Sequence, residues 1–344
     1  MMKRFVSLTI LILMTTSLVF AATISSPAAT VRLTKTVQIS MSDLDAEVAK
    51  YQAAAQDPSA VDPLQVLNLL INNELFRQGA ERDGVVISSS MVDTAYKNQK
   101  TVIEQSYGTQ LTNEEFDQII VNNFGSVAAY KQLIGEQLLV DSYVQLKKSD
   151  VLKEDPIVTE SEITSFYRKN RTMFVSPETV KLSHIFIPYS SDSGVNTANK
   201  TLLSDVADKI KNGTLSFEKA VVEYSQDTPS KSKGGDIGWL TMDNEEARLG
   251  LGESFFEVAF SLDVGETSGL VESNTGYHIL KVLVYSETKI LALDDVISPN
   301  NPMTIRTYIT NELKAAKQQE LYVKAVNSLV DELRKSATVR ILYK

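Results

Sequence analysis

Two histidines, His184 and His278, stand in a chain of 344 residues that contains no cysteine. Each lies in a run rich in β-branched and aromatic residues, where a histidine is ordinarily a satisfied core side chain. The missing cysteine removes disulfides, thiolate nucleophiles, cysteine-ligated zinc and haem attachment. A serine triad would need an activated serine, yet there is no Gly-x-Ser-x-Gly elbow. The two histidines are too far apart in sequence for a His-Glu-x-x-His zinc site, and Gly234-Gly235-Asp236 lacks the spacing and the following Lys-Ser or Lys-Thr of a phosphate loop. No cofactor or metal is therefore expected. Asp227, just before that glycine-rich loop, is the remaining acid of interest, and capping a turn is its other reading.

The elements that must position these residues are legible from periodicity and punctuation. Val180, Leu182, His184 and Phe186 alternate with Lys181, Ser183 and Ile185, which predicts a strand buried on at least one face. Tyr277–Tyr285 and Ser268–Glu272 read as two more strands. Amphipathic helices are expected over 202–210, with Leu202, Leu203, Val206 and Ile210 as the apolar positions, from Ser216 to Tyr224, and from Phe255 to Leu262. A glycine-rich polar loop follows the helix that ends at Tyr224, and Thr241–Gly250 reads as irregular. Strands separated by helices within this span define a compact α/β module.

The flanks are helical. Asp62 and Pro63 announce a helix that carries Leu64, Leu67, Ile71, Leu75 and Phe76 at helical spacing to Gly84. Ser42 with Asp45, Thr112 with Glu115 and Thr159 with Glu162 have the spacing of further helix starts. A long helix from Met303 to Ser336 cannot bury its apolar stripe alone, so it is expected to pack back on the N-terminal helices. The boundaries are 30–175 for an N-terminal helical domain, 177–286 for the inserted module, and 290–344 for a helix and strand that complete the helical domain.

Composition is that of a folded protein, 43% hydrophobic and 22% charged, and a net charge of −9 argues against nucleic acid as a partner. Lys3 and Arg4, the apolar run Phe5–Phe20, and then Ala21 and Ala22 follow the order of a secretory signal peptide, residues 1–21. The mature chain is expected to be exported, soluble and periplasmic, without stable membrane insertion. An uncleaved anchor is the alternative.

In the module, Lys181-Leu182-Ser183-His184-Ile185-Phe186-Ile187, Tyr224-Ser225-Gln226-Asp227, Lys233-Gly234-Gly235-Asp236-Ile237-Gly238-Trp239, Phe255–Phe260 and Thr275-Gly276-Tyr277-His278-Ile279-Leu280 occur in the order found in parvulin-type peptidyl-prolyl isomerases, which this region resembles. The flanking pattern, including Leu69-Leu70-Ile71-Asn72-Asn73-Glu74-Leu75, resembles the core of SurA-type periplasmic chaperones. The resemblance implies an α+β protein: a helical chaperone domain built from both ends of the chain, with an inserted module of a four-stranded antiparallel sheet plus helices. It further implies that Ile237, Leu251 and Phe255 line a proline pocket, although the family often has methionine at the Leu251 position. His184 and His278 would form a pair in which one neutral imidazole donates to the other, Thr275 would hydrogen-bond that pair, and Asp227 would lie near the rotating carbonyl. Asp227 would act by its field, through its amide neighbours, or by staying protonated. Two activities follow: catalysed cis–trans exchange in unfolded or proline-containing clients, secreted or outer-membrane, or a non-catalytic holdase whose module only binds peptide.

Overall fold

The computed structural model describes residues 26–344. The leader-like segment and its expected cleavage lie outside them. The described residues divide into two units, one holding Ile157–Lys314 and the other residues 26–156 together with Ala315–Lys344.

The second of these opens with a hairpin, β1 (Pro27–Arg32) and β2 (Thr36–Ser40), and continues through helices α1 (Met41–Ala54), α2 (Pro63–Arg82), α3 (Ser89–Tyr107), α4 (Asn113–Phe124) and α5 (Val127–Leu152). The start signals act as their chemistry requires. Asp62 accepts from the Leu64 amide with Pro63 in the first turn, and Thr112 and Glu115 form a reciprocal capping box. The first helix begins earlier than expected, because the box is made by Ser40 and Asp43 rather than Ser42 and Asp45. Ser40 is still extended as the last residue of β2, and that is the backbone conformation a capping serine needs.

The other unit follows with α6 (Glu160–Lys169), β3 (Val175–Ser176), β4 (Thr179–Pro188), α7 (Ser193–Lys211), α8 (Phe217–Tyr224), the single turn α9 (Thr228–Lys231), β5 (Asp236–Thr241), α10 (Glu245–Leu251), α11 (Glu253–Ser261), β6 (Val271–Glu272) and β7 (Gly276–Ser286). Short strands β8 (Lys289–Ile290), β9 (Val296–Ser298) and β10 (Asn301–Thr304) lead into the long helix α12 (Ile305–Ser336), and β11 (Thr338–Ile341) ends the pattern. The expected glycine-rich loop leads into β5, and the stretch expected to be irregular holds most of α10.

In the helical unit, Leu67, Ile71 and Leu75 of α2 share one core with Leu44, Tyr143, Val144 and the α12 residues Ala325, Leu329 and Leu333. Arg334 ties α12 to α2 through the side chains of Asn72 at 2.7 Å and Asn68 at 2.9 Å. The unit also carries an antiparallel sheet ordered β11-β1-β2, whose two N-terminal strands no periodicity marks. Ala28 and Ala29 have little strand preference of their own, and the strand is made by pairing with the far end of the chain. Gln78, fully buried on α2, holds the hairpin turn by accepting the amides of Leu33, Thr34 and Lys35, while its own amide donates to Glu74. Gln78→Leu is expected to cost about 2 kcal/mol, read as a lower thermal midpoint of the helical signal. An unchanged midpoint would show that water serves the turn equally well.

The module's sheet runs β5-β4-β7-β6, all antiparallel. Strand alternation sorts its side chains. Ile185, Ile187, Tyr277 and Ile279 face α7 and α8, meeting Leu203, Val206, Phe217 and Val221. Val180, Leu182, Leu280 and Val282 face α11 and meet Phe255 and Phe256. Residues of α6 lie in this unit, where Ile163 and Phe174 cluster with Leu291, Ile305 and Ile309.

Candidate active site

The alternation that buries Leu182 and Leu280 beneath α11 places His184 and His278 on the same face. The β4–β7 register sets Phe186 opposite His278 and His184 opposite Leu280, so the imidazoles are diagonal neighbours. Their Nδ1 atoms are 3.3 Å apart. Phe186 packs against both rings, and Phe255 meets His278 edge-on at 5.1 Å between centroids. Two glycines allow the backbone to close here. A Cβ on Gly235, whose φ is +83°, would lie 2.5 Å from the His184 carbonyl oxygen, and one on Gly276 would lie 2.3 Å from that of Ile187. The Gly235 carbonyl accepts the His184 amide at 2.9 Å, anchoring that residue where β5 stops pairing with β4.

The far nitrogen of His184, Nε2, is 3.1 Å from Asp227 Oδ2. Asp227 stands at the start of α9 but its side chain does not cap that turn. Burial pushes its carboxyl up, yet the neighbouring Ser230 and His184 outweigh that, and the group is held below the usual carboxylate range. An ionised carboxylate only accepts, so His184 Nε2 carries the proton. Burial pulls the pKa of His184 down, although Asp227 opposes it, and burial together with the His184 charge takes His278 down to about 3. Both rings are thus neutral near pH 7.

Tautomers follow. With its proton on Nε2, neutral His184 accepts at Nδ1, so His278 donates from Nδ1 and must accept at Nε2. The Ser273 hydroxyl lies 2.8 Å from that nitrogen and donates to it. The Thr275 hydroxyl, 3.0 Å from Ser273 Oγ, donates in turn. The result is a one-way chain of donors, Thr275 to Ser273 to His278 to His184, ending on the Asp227 anion.

This corrects one expectation. Thr275 does not bond the imidazoles; Ser273 does. The cause is the tight turn between β6 and β7, in which the Ser273 oxygen also accepts the amides of Thr275 and Gly276 and so sits beneath the His278 ring. A second hydroxyl two residues upstream of Thr275 was the available signal. Phe186 was likewise readable only as a strand residue, although its ring walls both histidines.

Of the three expected pocket residues, Phe255 is fully buried in the α11-side core, and Leu251 packs half-buried against the same cluster. Ile237 stands exposed on β5 and is not in that cluster. The end of α10 is fixed to the β6–β7 turn, since the Asn274 amide donates to the Leu251 carbonyl and its side chain to that of Leu249, both at 2.9 Å. Nothing in this arrangement activates a nucleophile. It offers a fixed negative charge, neutral donors and an apolar wall, the materials for binding an amide and weakening its resonance without breaking a bond.

Residues 184–283 match the family described as Rotamase, PPIC-type PPIASE domain. Over those residues the fold and the site are those of a parvulin-type peptidyl-prolyl isomerase domain. The chain is 25% identical over 280 residues to the foldase protein PrsA of Clostridium botulinum strain Langeland, covering 80% of this chain and 72% of that one. It is 24% identical over 277 residues to the PrsA of Clostridium kluyveri strain ATCC 8527, with the same coverage. Among solved structures, it is similar to one described under the SurA-like chaperones PEB4 and Cj1289 of Campylobacter jejuni, with 17% identity, 86% and 94% coverage and a TM-score of 0.37. PrsA of Bacillus anthracis gives 20% identity, 78% and 97% coverage and a TM-score of 0.29.

Proposed function

We propose that the module isomerises prolyl bonds in unfolded, exported polypeptides and that the helical unit holds those clients as a chaperone. The observation that carries the catalytic part is the donor chain ending on an ionised Asp227 beside the Phe255 wall. Rotation about an X-Pro amide faces a barrier of about 18–20 kcal/mol because the nitrogen lone pair is delocalised onto the carbonyl oxygen. A carboxylate near that oxygen disfavours the form in which it is negative and the C–N bond double, weakening resonance. Of the three modes considered for Asp227, the field therefore fits best. Leu251 and Ile237 receive the prolyl ring with the buried Phe255 behind them, and His278, His184, Ser273 and Thr275 hold the charge in place. A thousandfold acceleration needs only about 4 kcal/mol of preference for the twisted amide.

Support for the chaperone role comes from the PrsA relatives, which are named foldases, and from the amphipathic helices of the helical unit. Export rests on the leader-like sequence, and no helix among the described residues is long and apolar enough to cross a membrane. Nucleic acid is not among the partners proposed, given the acidic balance of the chain.

The purified chain should accelerate cis-to-trans exchange in a short proline peptide, and Asp227→Asn should slow it at least about tenfold. No acceleration at micromolar enzyme would remove catalysis and leave a holdase. Suppression of client aggregation should persist in His278→Ala; its loss there would place chaperoning in the module.

A further inference from the structure

Strand β4 has different neighbours on its two edges. Along one, β7 pairs with it from Thr179 to Pro188, whereas on the other β5 pairs only from Thr179 to Ser183. Beyond that point the outward backbone groups of β4 need other partners. The His184 amide finds the Gly235 carbonyl. Two residues on, the Phe186 carbonyl accepts the Gln226 amide at 2.7 Å, and the Phe186 amide donates to the side-chain oxygen of Ser225 at 3.2 Å. A serine hydroxyl therefore occupies the place of a missing strand neighbour.

That same oxygen accepts the Asp227 amide at 3.4 Å. Ser225 is buried, the C-cap of α8, with its amide on the Val221 carbonyl and its own carbonyl accepting Lys231 Nζ at 3.0 Å. One atom thus joins the main chain of the strand that carries His184 to the main chain of the residue whose carboxylate His184 meets. No regular element spans Ser225 to Asp227, so these bonds, together with the first turn of α9 that Asp227 caps through its carbonyl, set the lateral position of the carboxylate.

We propose that Ser225 is a positioning residue for isomerisation, its hydroxyl setting where the Asp227 carboxylate sits against His184. The inference rests on the reading of Asp227 as the working charge. Ser225→Ala removes the shared acceptor, and a displaced carboxylate acts on the wrong part of the amide.

The test uses the full chain and compares kcat/KM on a proline peptide for Ser225→Ala, Ser225→Thr, Asp227→Ala and the double variant Ser225→Ala/Asp227→Ala. Ser225→Ala should lose about ten- to a hundredfold, and Ser225→Thr, which keeps the oxygen, should regain most of it. The His184 Nε2 proton should lose its hydrogen-bonded resonance in Ser225→Ala. On the Asp227→Ala background, adding Ser225→Ala should change nothing further. Losses that multiply in the double variant, or full activity in Ser225→Ala, overturn the inference while leaving the role of Asp227 standing. Full activity in Asp227→Ala overturns that role and this inference with it. If Ser225→Ala does not fold, as judged by the emission of Trp239, Ser225→Cys takes its place, because the longer, weakly accepting sulfur must also move Asp227.

Discussion

Phe255→Ala is expected to lower kcat/KM on a proline peptide by about a hundredfold or more and to destabilise the module by about 3–5 kcal/mol. The ring is fully buried among Val180, Leu182, Leu280 and Val282, so truncation leaves a cavity that the sheet, fixed by its register, cannot collapse to fill. It also removes the edge against His278, opening the donor chain to water, which would compete for His278 and screen Asp227. The stability part can be read separately. Trp239 is the only tryptophan in the chain and lies on β5, so its fluorescence during urea unfolding follows the module rather than the helical unit. Because a single domain holds only about 5–15 kcal/mol, Phe255→Ala must be assayed where its Trp239 signal remains native. Phe255→Leu supplies the control: it restores most of the volume without the flat ring. The stability loss should shrink to about 1–2 kcal/mol, and activity should recover only in part. Full activity in a folded Phe255→Ala would show that the ring is core packing and does not support the prolyl pocket.

Much of this site was legible because several of its parts follow from local chemistry. The alternation around His184 and His278 needs no tertiary information to mark two strands, and the distance between Asp227 and the glycines is a property of the loop itself. Caps such as Asp62-Pro63 and Thr159 with Glu162 work within one turn and were equally readable. The misses depend on what a segment meets. β1 forms because β11 comes back to it, and β5 because β4 offers an edge that Gly238, with its positive φ, can approach in a bulged register. Ser273 and Ser225 are ordinary serines by type; only turn geometry in one case and an unfilled strand edge in the other give them their partners. The resemblance points to Thr275 as the hydroxyl on the histidine pair, but the bond falls to Ser273, two residues away in a turn where no periodicity exists to decide which hydroxyl points inward.

Acid should weaken the module selectively. In the unfolded chain both imidazoles take up protons near pH 6.5, whereas in the folded chain burial lowers His184 and takes His278 to about 3. Between those values the unfolded state holds more protons, so stability rises with pH through the window. It is fully present above about 6.5 and is lost as pH falls towards 3. Asp227 acts in the same sense at the lower end, since its depressed carboxyl contributes above the ordinary carboxylate range and loses that contribution below it. The contribution of His278 is on the order of 4 kcal/mol, about half of it gone by pH 4.5. The midpoint of the Trp239 urea transition should accordingly fall by roughly 1–2 M between pH 7 and pH 4.5. His278→Gln, which keeps a donor and an acceptor but cannot charge, should be less stable at pH 7 and show a much smaller fall. Both histidines lie in the unit that holds Trp239, so the helical unit should change far less over the same range, as followed by circular dichroism. Isomerisation should be level from about pH 6.5 to 8, because no member of the donor chain changes charge there. Equal Trp239 midpoints at pH 7 and 4.5 would mean that the imidazoles are not held neutral by burial. The tautomers would then be unassigned, and with them the direction of the chain that ends on Asp227.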